Sequence, residues 1–187
     1  MNKFDLRVIK TKKTLYNSLI ELMKEKSFEE IKVSDICNHA LINRSTFYAH
    51  YEDKYDLFSD YINDLKISLT NELKKNQNIA STKEYYIEMI KLFFNHIEQN
   101  KDNYLATIIN NRNSIIIDIL YDVIDKDIIN HLETNDKNVN NVPNNIIAQF
   151  YLGAVVSVSI NWLKNINKYT KDDMLNYLTI LIPNDIN

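Results

Sequence analysis

Apolar residues recur three and four positions apart along most of this chain, and they seldom alternate. Between Leu6 and Met23, Val8, Leu15, Leu19 and Leu22 share one face, with Lys10, Lys12, Lys13 and Asn17 between them. That period predicts an amphipathic first helix. Ser27 and Phe28 end it, and the FEEIKV connector returns Ile31 and Val33 to a core. Ser34 suits the N-cap of a short second helix, whose Val33, Ile36, Cys37 and Ala40 would face inward. Leu41 and Ile42 lie in the following turn and are expected to pin it to the core. Asn43 offers a second cap, for a helix from Arg44 to about Tyr51. Asp53 offers a third, for a long helix through Leu57, Phe58, Tyr61, Ile62, Leu65 and Leu69 to about Leu73. Two short helices around a tight turn, flanked by two long ones, make a three-helix head with a connecting strut.

Beyond a polar loop from Lys74 to Lys83, helical spacing resumes from Glu84 to Glu98, with apolar Tyr86, Ile90, Phe93, Phe94 and Ile97. Further helices are predicted at Asp102 to Asn110, Ser114 to Leu132, Asn144 to Ile166 and Lys171 to Ile182. The polar, Asn-rich ETNDKNVNNVPNN segment reads as a surface loop. The chain is therefore expected to be all-α, with about nine helices: a head over 1–66 and a helical body for dimerisation and effector response over 67–187. Composition agrees, because the 187 residues hold one Gly and two Pro. Strands joined by tight turns need those residues often, whereas long helices do not.

Charge adds a direction. The net charge is -3, yet residues 1–50 carry nine Lys or Arg against six Asp or Glu, a balance of +3. By subtraction from 22 and 25, the rest carries thirteen against nineteen, or -6. A basic head on an acidic body is expected where only the head meets phosphates. Cys37 is the only cysteine, so no intrachain disulfide forms and a reducing cytoplasm is the expected compartment. The basic N-terminus is not followed by the uninterrupted apolar run of a signal peptide. The most apolar window, Ile146 to Leu163, is broken by Gln149, Ser157, Ser159 and Asn161, which favours a helix buried on two sides over a membrane span.

Catalysis finds little support. His39, His50, His96 and His131 are scattered, none pairs with a carboxylate at metal-ligand spacing, Cys37 falls on a core face, and there is no Gly-rich phosphate loop. No cofactor and no metal site are expected.

The helix opening at Arg44 carries the candidate chemistry. Phe47 and Tyr51, one turn apart, would pack inward, leaving Arg44 with Tyr48, and Ser45 with Ala49, on the opposite face. Arg44 supplies a planar fork that can pair bidentately with guanine, Ser45 and Thr46 supply small hydrogen-bonding groups, and Ala49 can meet a thymine methyl. Ser34, Tyr48, His50 and Lys54 are placed to hold backbone phosphates, which fix register without reading sequence. Lys54 opposes the dipole of the helix it opens, at a cost of a few tenths to about 1 kcal/mol; a phosphate at that helix end would reverse the sign.

The segment IKVSDICNHALINRSTFYAHYEDKYDLF resembles the helix-turn-helix of TetR/AcrR-type transcriptional regulators. Ser34, Ile36, Tyr48, His50, Tyr51, Lys54 and Leu57 meet that pattern, and Arg7, Thr11 and Leu19 extend it back through the first helix. The resemblance implies base contact by Arg44, Ser45, Thr46 and Ala49, and phosphate contact by Ser34, Tyr48, His50 and Lys54. Ser45 stands where Gly or Ala is usual, which leaves the operator sequence open. FYLGAVVSVSINWLKNINKYTKDDM resembles the C-terminal region of a subgroup from low-GC bacteria that includes an activator of dihydroxyacetone kinase genes, whose relatives respond to a protein coregulator.

A sequence-specific regulator, acting as a repressor and homodimer on a palindromic double-stranded operator, is the function expected. A single head reads too few base pairs, and two-fold dimers place two recognition helices one helical turn apart or a multiple of it. Phe150, Gly153, Ser157 and Ile160 form a stripe for that contact, the glycine allowing close approach. The other stripe, Ile147, Tyr151, Ala154, Val155, Val158 and Trp162, would pack on the body. Tyr86, Phe93, Phe94, His96, Tyr104, Arg112 and Tyr121 are candidates for a pocket taking a small-molecule or protein effector. An all-α protein-interaction module, or an activator under a protein coregulator, is the alternative; no membrane partner is expected.

Overall fold

The computed structural model describes residues 6–75, 82–111, 118–119, 121–122, 124, 129, 142–165 and 167–182. Among these, eight helices have described bounds and no strand is found: α1 Leu6–Glu25, α2 Val33–Ala40, α3 Arg44–Tyr48, α4 Lys54–Leu73, α5 Thr82–Gln99, α6 Lys101–Asn110, α7 Asn144–Lys164 and α8 Lys171–Leu181. The fold is all-α. Of the helix expected over 114–132, Asp118, Ile119, Tyr121, Asp122, Ile124 and Ile129 are helical, and its other residues lie outside the described ones. Most of the Asn-rich segment does too.

The head folds around one apolar cluster. Leu15, Leu19, Leu22 and Met23 of α1 bury against Ile36 of α2, Phe47 of α3, and Leu57 and Phe58 of α4, with Phe28 and Ile31 from the connector. Spacings of three and four put each set on one face. A polar fastening crosses this core. Asp60 of α4 accepts the Lys12 ammonium at 2.5 Å, the Tyr16 hydroxyl at 2.8 Å and the Tyr51 hydroxyl at 2.7 Å. One carboxylate thus ties α1, α4 and Tyr51, three residues beyond the end of α3. Burial raises its pKa and these donors lower it, with a net fall below the usual carboxylate range.

Helix ends depart from the simple reading. Ser34 is not the cap of α2: extended Lys32 holds that position. Asp35, three residues on, accepts the Lys32 N–H at 3.0 Å and the Lys26 ammonium at 2.7 Å. Asn43 does occupy the N-cap of α3 but makes no side-chain cap bond. Asp53 caps α4, accepting from the N–H groups of Tyr55 at 2.8 Å and Asp56 at 2.9 Å. Leu41 does not pin the turn. Its φ of 54° is left-handed, as a helix C-terminal cap demands. The Ile42 N–H then reaches the Cys37 carbonyl at 3.0 Å, while the Leu41 side chain is thrown outward, 93% exposed. Ile42 alone packs on the core.

The body has its own cluster of Phe94, Ile97, Trp162, Leu163, Met174 and Leu178. Trp162 stacks on Phe94 at 5.0 Å between centroids, and its indole N–H donates to the Tyr169 carbonyl at 3.0 Å. Thr170 and Asp173 close a reciprocal capping box at the start of α8. α7 is long and apolar enough to cross a membrane by length and composition; here Ala148, Leu152, Ser159, Trp162 and Leu163 of it are buried within the protein. Head and body meet mainly where α1 packs on α6 and α4 on α5.

Candidate nucleic-acid interface and body cavity

α3 is short because only its inward residues hold it. Phe47 is fully buried and Tyr51 nearly so, and the N–H groups of His50 and Tyr51 bond back to the Phe47 carbonyl at 2.9 and 3.0 Å. The helix ends at Tyr48, about three residues earlier than its spacing suggested, with Ala49 as its C-cap. Arg44, Ser45, Tyr48 and Ala49 are exposed and Thr46 is half-buried. Tyr48 sets its ring edge-on to Phe47 at 5.5 Å and is 58% exposed. The bare face is thus the one opposite Phe47 and Tyr51. Ser34 and His50 are half-buried at its margins.

Lys54 is the exception, and its assignment to phosphate is corrected by the geometry. It is 9% exposed, and its ammonium donates to the carbonyls of Phe28 at 2.7 Å, Glu29 at 2.9 Å and Ile31 at 2.8 Å. A lysine has three N–H donors, and all are in use. Its Nζ also lies 4.9 Å from the Phe28 ring centre and 5.3 Å from that of Tyr55. Burial lowers its pKa, with Glu29 and Asp53 acting the other way. The unfavourable dipole at the first turn of α4 is therefore offset by three converging carbonyls rather than by an anion. Cys37, buried in the core, has its thiol pushed up by burial, with Arg44 opposing, which makes it a packing residue rather than a nucleophile.

A partly open cavity of about 400 Å³ lies between α1 and α4 of the head and α5, α6 and α7 of the body, within the range of small-molecule sites. Of the residues proposed for a pocket, Tyr86, Phe93, His96 and Tyr104 line it. Phe94 does not, because it is fully buried against Trp162; it belongs to the core. Arg112 lies outside the described residues. Tyr121 is not on the wall; its hydroxyl would sit 3.2 Å from a Cβ at Gly153, so the chain's one glycine makes room for a tyrosine of the same chain. Burial lowers the His96 pKa, keeping the ring neutral at pH 7. The wall is mostly aliphatic and aromatic, with a polar strip of Asn100, Asn103, Tyr104, Thr107 and Asn111 along α6 and its flanks. Its described residues include Lys66 and Lys164 and no carboxylate. Spacing did not signal the walls given by α1 and α4, because those positions look like ordinary core.

On the outer side of α7, Phe150 is 70% exposed and Ser157 is exposed, while Gly153 is half-buried. Ile160, expected with them, turns to the cavity wall instead, and Ala154, placed on the inner stripe, is exposed. Tyr177, Ile180 and Leu181 of α8 are exposed apolar residues that the stripe on α7 did not anticipate.

Comparison with known proteins accords with this geometry. The family described as "Bacterial regulatory proteins, tetR family" matches residues 15–61, and the TetR "Transcriptional regulator C-terminal region" matches residues 86–184, more than half of the chain. The chain belongs to the TetR family of bacterial transcriptional regulators, which bind DNA through a helix-turn-helix head. A TetR transcriptional regulator from Streptococcus agalactiae is 27% identical with a TM-score of 0.63, covering 95% of this chain and 96% of that one. The Bacillus subtilis regulator FadR, solved in complex with stearoyl-CoA, shares the fold at 15% identity and a TM-score of 0.63, covering 94% of this chain and 99% of that one. Among curated relatives, the uncharacterized regulator YxbF of Bacillus subtilis is 32% identical over 56 residues, 30% of this chain and 15% of that protein's length.

Proposed function

We propose that this regulator is an effector-controlled repressor that binds a palindromic operator as a homodimer, with residues 1–66 as the DNA-binding unit and 67–187 as the dimerisation and effector unit. The carrying observation is the pairing of a bare recognition face on α3 with an apolar cavity of about 400 Å³ where α1 and α4 meet the body. Arg44, Ser45, Thr46 and Ala49 read bases; Ser34, Tyr48 and His50 hold phosphates. Phe150, Gly153 and Ser157 of α7, with Tyr177, Ile180 and Leu181 of α8, form the face for a second copy. The effector is a largely apolar small molecule, and a wall whose described residues include Lys164 and no carboxylate suits one with an anionic end. The stearoyl-CoA complex of FadR, a protein of the same fold, supports that class.

The test is footprinting on the DNA flanking its own gene, followed by binding as salt is raised. Six to ten phosphate contacts lower affinity by roughly 10³ to 10⁵ between 50 and 200 mM salt. Weak binding with little salt dependence would refute the reading.

A further inference from the structure

Asn111 faces the cavity and the head at once. It is 8% exposed, and its side chain spends its polar atoms across the boundary between the two. Its Oδ1 accepts the Phe28 N–H at 2.6 Å, and its Nδ2 donates to the Met23 carbonyl at 3.3 Å and the Thr107 carbonyl at 2.8 Å. Phe28 and Met23 lie 83 and 88 residues away in sequence. The same residue sits on the cavity wall beside Thr107, at the C-terminal end of α6.

From Phe28 the contacts run on into the head. The Phe28 carbonyl accepts the Lys54 ammonium at 2.7 Å, and Lys54 opens α4 three residues after Tyr51, the inward anchor next to the recognition helix. A hydrogen bond weakens steeply once it lengthens or bends. Asn111 is therefore a contact in this boundary whose strength depends sharply on where the end of α6 sits.

We propose that Asn111 is a positioning residue that, beside the direct contact of the cavity with Ile20 and Met23 of α1 and Phe58 and Ile62 of α4, passes occupancy of the cavity on to the DNA-reading head. A ligand that displaces the end of α6 opens the bond from the Phe28 N–H. The connector at 27–31 is released, and Lys54 loses the carbonyl array that holds α4 beneath α3. The ligand needs only to favour the open joint over the closed one for the two sites to be coupled. This rests on the cavity being the effector site.

The experiment measures amide hydrogen exchange at Phe28 by NMR in the full chain, with anilinonaphthalene sulfonate, an apolar dye with an anionic group, as the cavity probe. Tyr104→Trp, which enlarges a side chain on the cavity wall, should weaken dye binding. In the native chain, saturating dye should speed Phe28 exchange about tenfold or more, the scale set by loss of one buried hydrogen bond. In Asn111→Ala, the dye should still bind, while Phe28 exchanges fast from the start and no longer responds. Asn111→Asp keeps the acceptor for the Phe28 N–H but offers a donor to the Met23 and Thr107 carbonyls only when its carboxyl is protonated, so protection and response should return as pH is lowered, which a merely space-filling role would not require. If Asn111→Ala fails to fold, the native chain and Asn111→Asp decide the matter. Absence of dye binding, or binding indifferent to Tyr104→Trp, overturns the cavity reading and the joint with it. Bound dye that leaves Phe28 exchange unchanged, or that still alters it in Asn111→Ala, overturns the joint alone.

Discussion

Replacing Lys54 with methionine separates two roles that the residue could fill. The substitution keeps an apolar stem and removes the ammonium, so the carbonyls of Phe28, Glu29 and Ile31 lose their donor. Hydrogen bonds to a charged group contribute about 1.5 to 3 kcal/mol each. That gross value is reduced twice: desolvating the ammonium costs several kcal/mol, and water can reach the carbonyl of exposed Glu29. A net destabilisation of about 2 to 4 kcal/mol is expected, in line with removing one partner of a buried charged contact. For a chain of this size, that lowers Tm by roughly 5 to 15 °C. Calorimetry without DNA measures it. Binding of the folded variant at several salt concentrations supplies the second arm, because loss of one phosphate contact would reduce the salt slope by about 1. The structural clamp predicts a large fall in Tm and an unchanged slope. An unchanged Tm with a slope smaller by about 1 would refute the clamp and return Lys54 to the phosphate.

Three further outcomes follow from the same geometry. Asp60 has a folded-state pKa below its unfolded value near 4, so its contribution is present above pH 4 and is lost as pH falls through the folded pKa; thermal melts should show acid destabilisation that Asp60→Asn flattens. Leu41→Gly removes a left-handed strain of about 1 to 2 kcal/mol and loses almost no packing, against about 0.5 to 1 kcal/mol of added unfolded-state entropy; a net gain of up to about 1 kcal/mol should appear in denaturant midpoints, and a loss would contradict the cap geometry. Arg44→Ala should cost about 1 to 3 kcal/mol and relax preference at one operator position; an equal loss on every DNA sequence tested would assign Arg44 to the backbone instead.

Much of the fold was legible because helical packing leaves a local record. Phe47 and Tyr51 could be turned inward, and Arg44, Ser45, Tyr48 and Ala49 outward, from a spacing of four alone. Asp53 could be named as a cap because its acceptors serve N–H groups two and three residues away. Legibility failed wherever the partner was distant or was backbone. Ser34 looked like a better cap than Lys32 because the Asp35 carboxylate doing that work reaches backward, helped by Lys26. Phe94 looked as suitable for a pocket as Phe93, and one step around the helix sent the first into a stack with Trp162 and the second to the cavity wall. Ile160 looked like an outer residue because a stripe has two edges, and spacing does not say which edge meets empty space.

The order of residues along the chain was enough to set the helices, their apolar faces and the exposed face of α3, since each depends on neighbours within about one turn. Three decisions waited for the tertiary arrangement. Lys54 turned from the solvent to three carbonyls of the 28–31 connector, Asn111 came to bridge two segments more than eighty residues apart, and Gly153 opened space for Tyr121 of its own chain. In each case the deciding partner is a backbone carbonyl or N–H, or a side chain on another helix. Such groups carry no sequence signal, and only the packed chain brings them within hydrogen-bonding or van der Waals reach.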